Sequence, residues 1–137
     1  MASKIKLEIV TPEKVTYSEE VDMVTLPGVE GDMGIYPNHV PLMTQVKAGE
    51  VAVKDGGVVS YLAVGEGFAK VNSRHVAILT EMAVGVDDID EQAVEEARKR
   101  AEGRLRDETL TDEQIAAENA AIAHAMAQLD VKRRRGH

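Results

Sequence analysis

Ile5, Leu7 and Ile9 alternate with Lys4, Lys6 and Glu8, the two-residue period of a strand with one face in the core and one in water. Thr11-Pro12-Glu13 ends it, and Val15, Tyr17, Val21, Met23 and Leu26 carry the same period as far as Pro27-Gly28. Val51 and Val53, a hairpin signal at Lys54-Asp-Gly-Gly57, Val58 to Val64, Phe68 to Val71, a turn at Asn72-Ser-Arg74 and Val76 to Met82 follow. Many short strands separated by Gly, Asn and Asp turns predict an antiparallel β-sandwich or flattened barrel over residues 1–86.

At Asp87 the period changes. From there to Arg135 the chain has no proline, Gly103 alone interrupts the pattern, and alanine dominates, which predicts two helices over 87–137. Asp88, with Glu91 three residues on, reads as the first N-cap, and Thr111-Asp-Glu-Gln114 as a capping box for the second helix. Arg106 to Leu110 is a short connection, so the helices form an antiparallel hairpin. The fold class is therefore α+β. Ile89, Ala93, Ala97, Ala101 and Leu105 are expected on the inner face of the first helix, and Ile115, Ile122, Met126 and Leu129 on that of the second. Glu95–Lys99, Glu96–Arg100 and Glu102–Arg106 are expected as ion pairs on the outside. A seam built largely of alanine removes little apolar area, so the hairpin is expected to dock weakly and to keep its helices when it lets go. That suits a conformational switch; the other reading is a static hairpin.

Gly28 to Val51 is the stretch around which the strands are arranged. Gly28, Gly31 and Gly34 allow sharp reversals on either side of Asp32-Met33, and Pro37 and Pro41 place Tyr36 to Pro41 at a sheet edge or corner. Asp32, Tyr36, Asn38 and His39 are thereby expected on one loop held by a rigid sheet.

Composition narrows the chemistry. The 137 residues contain no cysteine, which removes thiolate catalysis and zinc–thiolate sites, and no apolar run long enough to span a bilayer. The start, Met-Ala-Ser-Lys-Ile-Lys, lacks an apolar signal core. Net charge is −8, unfavourable for a phosphate backbone, so no nucleic-acid partner is expected. Lys132-Arg-Arg-Arg135 is the exception, and reads as a frayed, solvated tail or else as a contact to an acidic partner or lipid headgroup. His39, His75, His124 and His137 stand at spacings that make neither a metal pair nor a nucleophile with its base, and no phosphate-binding glycine motif is present. No catalytic residue, metal or cofactor is expected.

Gly31-Asp-Met-Gly-Ile-Tyr-Pro-Asn-His-Val-Pro-Leu42, followed by Val46-Lys-Ala-Gly-Glu-Val51, resembles the epsilon subunit of F-type (rotary) ATP synthases. Val10-Thr-Pro12, Gly65-Glu-Gly-Phe68 and Asp88-Ile-Asp-Glu91 extend the resemblance in order over nearly the whole chain. The resemblance implies a non-catalytic central-stalk subunit that couples ring rotation to ATP synthesis and opposes ATP hydrolysis through its helical arm. One sandwich face would pack on the gamma subunit. Gly31, Asp32, Tyr36, Asn38 and His39 would lie at the c-subunit ring or gamma. Arg98, Arg100, Arg104 and Arg106, with the basic tail, would meet the alpha/beta catalytic subunits when the arm extends. Some members bind ATP on the folded arm; here Asp90 is kept, but Val84, Ala93, His124 and Gln128 stand where the other ligands belong, so none is expected to bind. The implied place is peripheral, on the cytoplasmic face of a bacterial plasma membrane, and an organelle-encoded copy would read alike. The alternatives are a free-standing ligand-sensing module and a small hydrolase or isomerase.

Overall fold

The computed structural model describes residues 3–136, so His137 lies outside it. Ten strands come first: β1 (Ile5–Val10), β2 (Val15–Val21), β3 (Met23–Gly28), β4 (Gly31–Ile35), β5 (Leu42–Val46), β6 (Gly49–Asp55), β7 (Val58–Val64), β8 (Gly67–Val71), β9 (His75–Thr80) and β10 (Ala83–Gly85). A 3-10 turn at Val86–Asp88 then leads into α1 (Glu91–Arg104) and α2 (Asp112–Arg135).

All ten strands join one sheet in the order β10-β7-β6-β3-β5-β8-β9-β1-β2, with β4 added beside β3. Every pairing is antiparallel except β1 with β9. The sheet curls onto itself, because strands from opposite ends of that order fill a single core. Ile5, Leu7 and Ile9 of β1 and Val76 and Ile78 of β9 pack with Val51 and Val53 of β6 and Leu62 and Val64 of β7. Period-two alternation selects these residues, and full burial of each is worth about 1.5–3 kcal/mol. Where the two ends approach, Lys4 bridges Asp22 and Asp55, and Asp22 also accepts a 2.9 Å hydrogen bond from the Gly56 amide. The β6–β7 hairpin turns at Gly56 and Gly57, whose φ values of 60° and 83° suit the Asp-Gly-Gly signal. The α+β class, with an antiparallel sandwich or flattened barrel followed by a helical hairpin, is thus the observed architecture.

Four expectations need correction. The single reversal in the Gly-rich stretch falls at Val29-Glu30, and Asp32-Met33 lie inside β4, paired with Pro27 and Leu26. The cap of α1 is Asp90 rather than Asp88, because Val86–Asp88 forms the 3-10 turn; the Asp90 carboxylate accepts from the Ala93 amide at 3.1 Å. On the inner face of α1, Ala93 and Ala97 are exposed and Val94 turns inward in their place, while Ile89, Ala101 and Leu105 lie inward as expected. On α2, Ile115 and Met126 are exposed and Ala125, Ala127 and Val131 are buried in their place, while Leu129 is buried as expected. Finally, the ion pairs of α1 run through Arg98, which bridges Glu95 and Glu102, in place of the three pairs expected from spacing. The Thr111–Gln114 capping box forms as expected, with both reciprocal bonds present.

Candidate functional site

The proline-containing bend is built from two parts rather than one loop. Asp32 is exposed on β4, and four residue steps of extended chain, about 13 Å, separate it from Tyr36. Tyr36, 58% exposed, opens the loop that runs to Pro41. Asn38 adopts a left-handed φ of 68°, a conformation asparagine tolerates, and its amide donates to the Ser73 carbonyl at 2.7 Å. That bond ties the loop to the β8–β9 turn. His39 sits half-buried with its Nδ1 2.7 Å from the Val40 carbonyl. Gly31 and Asp32 therefore occupy one end of β4 and Tyr36, Asn38 and His39 the other, so these five residues present two patches.

A feature that the sequence reading did not single out lies on the outer face of β5, β8, β9 and β1. Gln45 pairs with Phe68, Phe68 with Leu79, and Leu79 with Val10, so one row of side chains crosses four strands. Phe68 and Leu79 are each about half exposed. With Pro12, Val29, Thr11 and Lys47 they line a groove of about 620 Å³. Strand alternation was the available signal: Ala69 and Val71 point inward, which forces Phe68 outward, and Ile78 and Thr80 do the same for Leu79.

The helical arm meets the sheet through α2, which packs on β6 and β7, while α1 packs on α2. The joint has its own small apolar cluster, separate from the barrel core. Ala63, Ile89 and Val131 are buried in it, with Tyr61, Val84, Val86 and Val94 around them. His124 lies over Gly65: a Cβ on that glycine would stand 2.6 Å from His124 Nε2, so the backbone just past the end of β7 is bare where the helix crosses it. Asp90, kept from the motif of the ATP-binding members, uses its carboxylate on the helix cap. Val84 packs in the joint, Gln128 is half-buried on α2, and Ala93 is exposed.

The arm's cations divide into two sets. Arg98 is committed within α1, and Arg104 lies 3.3 Å from Glu118 of α2. Arg100 and Arg106 are exposed on the outside. The C-terminal run is the clearest departure from the frayed tail that was one expectation. Residues 132–135 form the last turn of α2, and each is engaged: Lys132 donates to the Val86 carbonyl at 3.1 Å, Arg133 to Glu91 at 2.7 Å and Glu95 at 3.3 Å, Arg134 approaches Glu50 at 3.9 Å, and Arg135 donates to Glu50 at 2.8 Å. Arg98, and after it Arg133, hold the Glu95 carboxyl below the usual carboxylate range. Hydrogen bonds from the Thr109 hydroxyl and amide do the same to Asp107 in the interhelical turn.

A curled, mostly antiparallel sheet carrying an external helical hairpin defines an α+β protein built on a β-sandwich. Residues 4–86 match the family model described as ATP synthase, Delta/Epsilon chain, beta-sandwich domain. The ATP synthase epsilon chain of Dehalococcoides mccartyi is 41% identical over 98% of this chain and 97% of its own length, and that of Herpetosiphon aurantiacus is 44% identical over 96% of each. A chain in the Euglena gracilis mitochondrial ATP synthase structure shares the fold, with a TM-score of 0.71 and 24% identity over 94% of this chain and 81% of the other. The chain belongs to the ATP synthase epsilon chain family. Among the described residues no helix is long and apolar enough to cross a membrane.

Proposed function

We propose that the chain is the non-catalytic central-stalk subunit of a proton-translocating F-type ATP synthase, with the β-sandwich of residues 1–86 as its gripping domain and residues 87–137 as a separate regulatory arm. The exposed apolar row Val10–Leu79–Phe68 carries this reading. A sheet that is stable by itself has no need for a wet apolar groove on its outer face, and such patches mark partner surfaces. The gamma subunit is its occupant in our reading, with His39 near that contact. Gly31 and Asp32 of β4, and the Tyr36 to His39 loop at its far end, reach the c-subunit ring and its junction with gamma. A curled sheet with short turns is stiff, as a coupling between a rotating ring and a shaft requires.

The arm opposes ATP hydrolysis when it leaves the sheet and extends toward the alpha/beta catalytic subunits, where Arg100 and Arg106 are already exposed to meet them. Two features support a movable arm: its joint is a small cluster separate from the barrel core, and α1 is attached mainly through α2. The complex then holds this chain peripherally at the cytoplasmic face of the membrane, without insertion. With Ala93, His124 and Gln128 supplying no guanidinium, the folded arm does not bind ATP at physiological concentration, and isothermal titration should give no saturation near or below millimolar.

Co-purification with gamma tests the grip. Phe68→Asp/Leu79→Asp places two charges in the groove while leaving the buried side of β8 and β9 untouched, so the variant should keep its far-UV spectrum and lose gamma. Retention of gamma by the folded variant would contradict the assignment of this face.

A further inference from the structure

Glu50 lies on the outer face of β6, opposite Ala63 of β7, and its side chain is only 15% exposed although it carries a charge. What covers it is the end of α2. Arg135 reaches it with both arms of its guanidinium, Nε to one carboxylate oxygen at 2.8 Å and Nη2 to the other at 3.4 Å, and Arg134 approaches at 3.9 Å. The same Arg135 guanidinium lies 4.3 Å above the Tyr61 ring, the arrangement in which a cation is attracted to an aromatic face. One turn earlier, Val131 fills the apolar joint, and Lys132 caps the Val86 carbonyl at the segment that leads into α1.

We propose that Glu50 and Tyr61 form a receptor for Arg135, and that this contact is a clasp holding the helical arm closed against the sheet. The inference rests on the reading of the arm as a movable element and names what restrains it. A forked guanidinium–carboxylate pair is directional as well as attractive, so the clasp fixes the register of α2 on β6 and β7 as well as its proximity. The alanine-rich joint contributes little area, which leaves a larger share of the closing energy to charge. Charge contacts at this level of exposure weaken with added salt, whereas apolar contacts do not. The closed state of this chain is accordingly sensitive to ionic strength, and the sensitivity is lost when Glu50 is neutralised.

The full chain contains no cysteine, so Lys54→Cys on β6 and Lys99→Cys on α1 give a specific pair for two dyes, and energy transfer reports the open fraction. Raising salt from about 0.05 to 1 M should open the otherwise unaltered chain, the range over which screening shortens from well over 10 Å to about 3 Å. Glu50→Gln and Arg135→Gln should each raise the open fraction several-fold at low salt and flatten the salt response, and the double variant should exceed neither by much, because the two groups act as one contact. The exchanged pair Glu50→Arg/Arg135→Glu should recover part of the closed state. Val131→Asp is the reference for an open arm, since it breaks the apolar joint without touching the barrel core. If Val131→Asp opens the arm and Glu50→Gln leaves both the open fraction and its salt dependence unchanged, the clasp is overturned and the movable arm stands. If Val131→Asp also stays closed, the arm is static and both are overturned.

Discussion

One methyl group added at Gly67 and one added at Gly103 have opposite consequences. At Gly67 a Cβ would lie 1.8 Å from the Leu79 carbonyl oxygen and 2.8 Å from its carbonyl carbon, so β8 and β9 cannot keep their pairing around it. Overpacking of this kind costs about 1–3 kcal/mol, and backbone offers less relief than a side chain would, so Gly67→Ala should fall at or above the top of that range. Gly103 lies in the last turn of α1 with nothing within 4 Å of the added atom. Gly103→Ala should therefore stabilise the arm by about 0.5–1 kcal/mol. Urea denaturation of the two variants beside the parent reads both signs. The glycines of the β6–β7 hairpin turn and of Gly65-Glu-Gly-Phe68 were legible in the sequence, but which glycine faces a neighbouring strand was not, because that depends on strand register.

At the scale of elements, the strands were easier to read than the helical faces. Alternation of Ile5, Leu7 and Ile9 against charged neighbours locates β1 without help, since its inner and outer positions differ sharply. The helices are alanine-rich on every side, so the choice of inner face rests on a few larger residues: Ala101 and Leu105 follow the expected stripe, but Val94 faces inward where Ala93 and Ala97 were expected. The basic run at the end of α2 resembled a solvated tail because its partners, Glu50 and Glu91, are more than 40 residues away in sequence. The apolar row of Val10, Leu79 and Phe68 was hidden for the same reason, being contiguous only across strands. Two titrations follow from the charge contacts. Glu95, held low chiefly by Arg98, contributes to the helix pair above its ordinary value of 4.5, and this contribution is lost as pH falls through the depressed folded value. Lys4, raised above 10.5 chiefly by its bond to Asp55, contributes to closure of the sheet below that value and ceases to do so as pH rises through its folded value. Amide exchange should therefore quicken first in α1 and α2 on the acid side and first around β1, β2 and the β6–β7 turn on the alkaline side. The reverse order would contradict these pairings.

At the scale of the whole molecule, a stiff module stands apart from a light one. The barrel core draws Ile, Leu and Val from strands throughout the curled sheet, whereas the joint to the arm buries Ala63, Ile89 and Val131. The sheet should therefore remain folded without the helices, and the groove and the two patches at the ends of β4 should remain with it. The most direct measurement is ATP hydrolysis by the assembled ATP synthase carrying a chain that ends at Asp87 in place of the full one. The shortened chain should still assemble with gamma and hydrolysis should rise; assembly with hydrolysis unchanged would contradict the reading of the arm as a brake, because the arm would then be a passive ornament of the sheet.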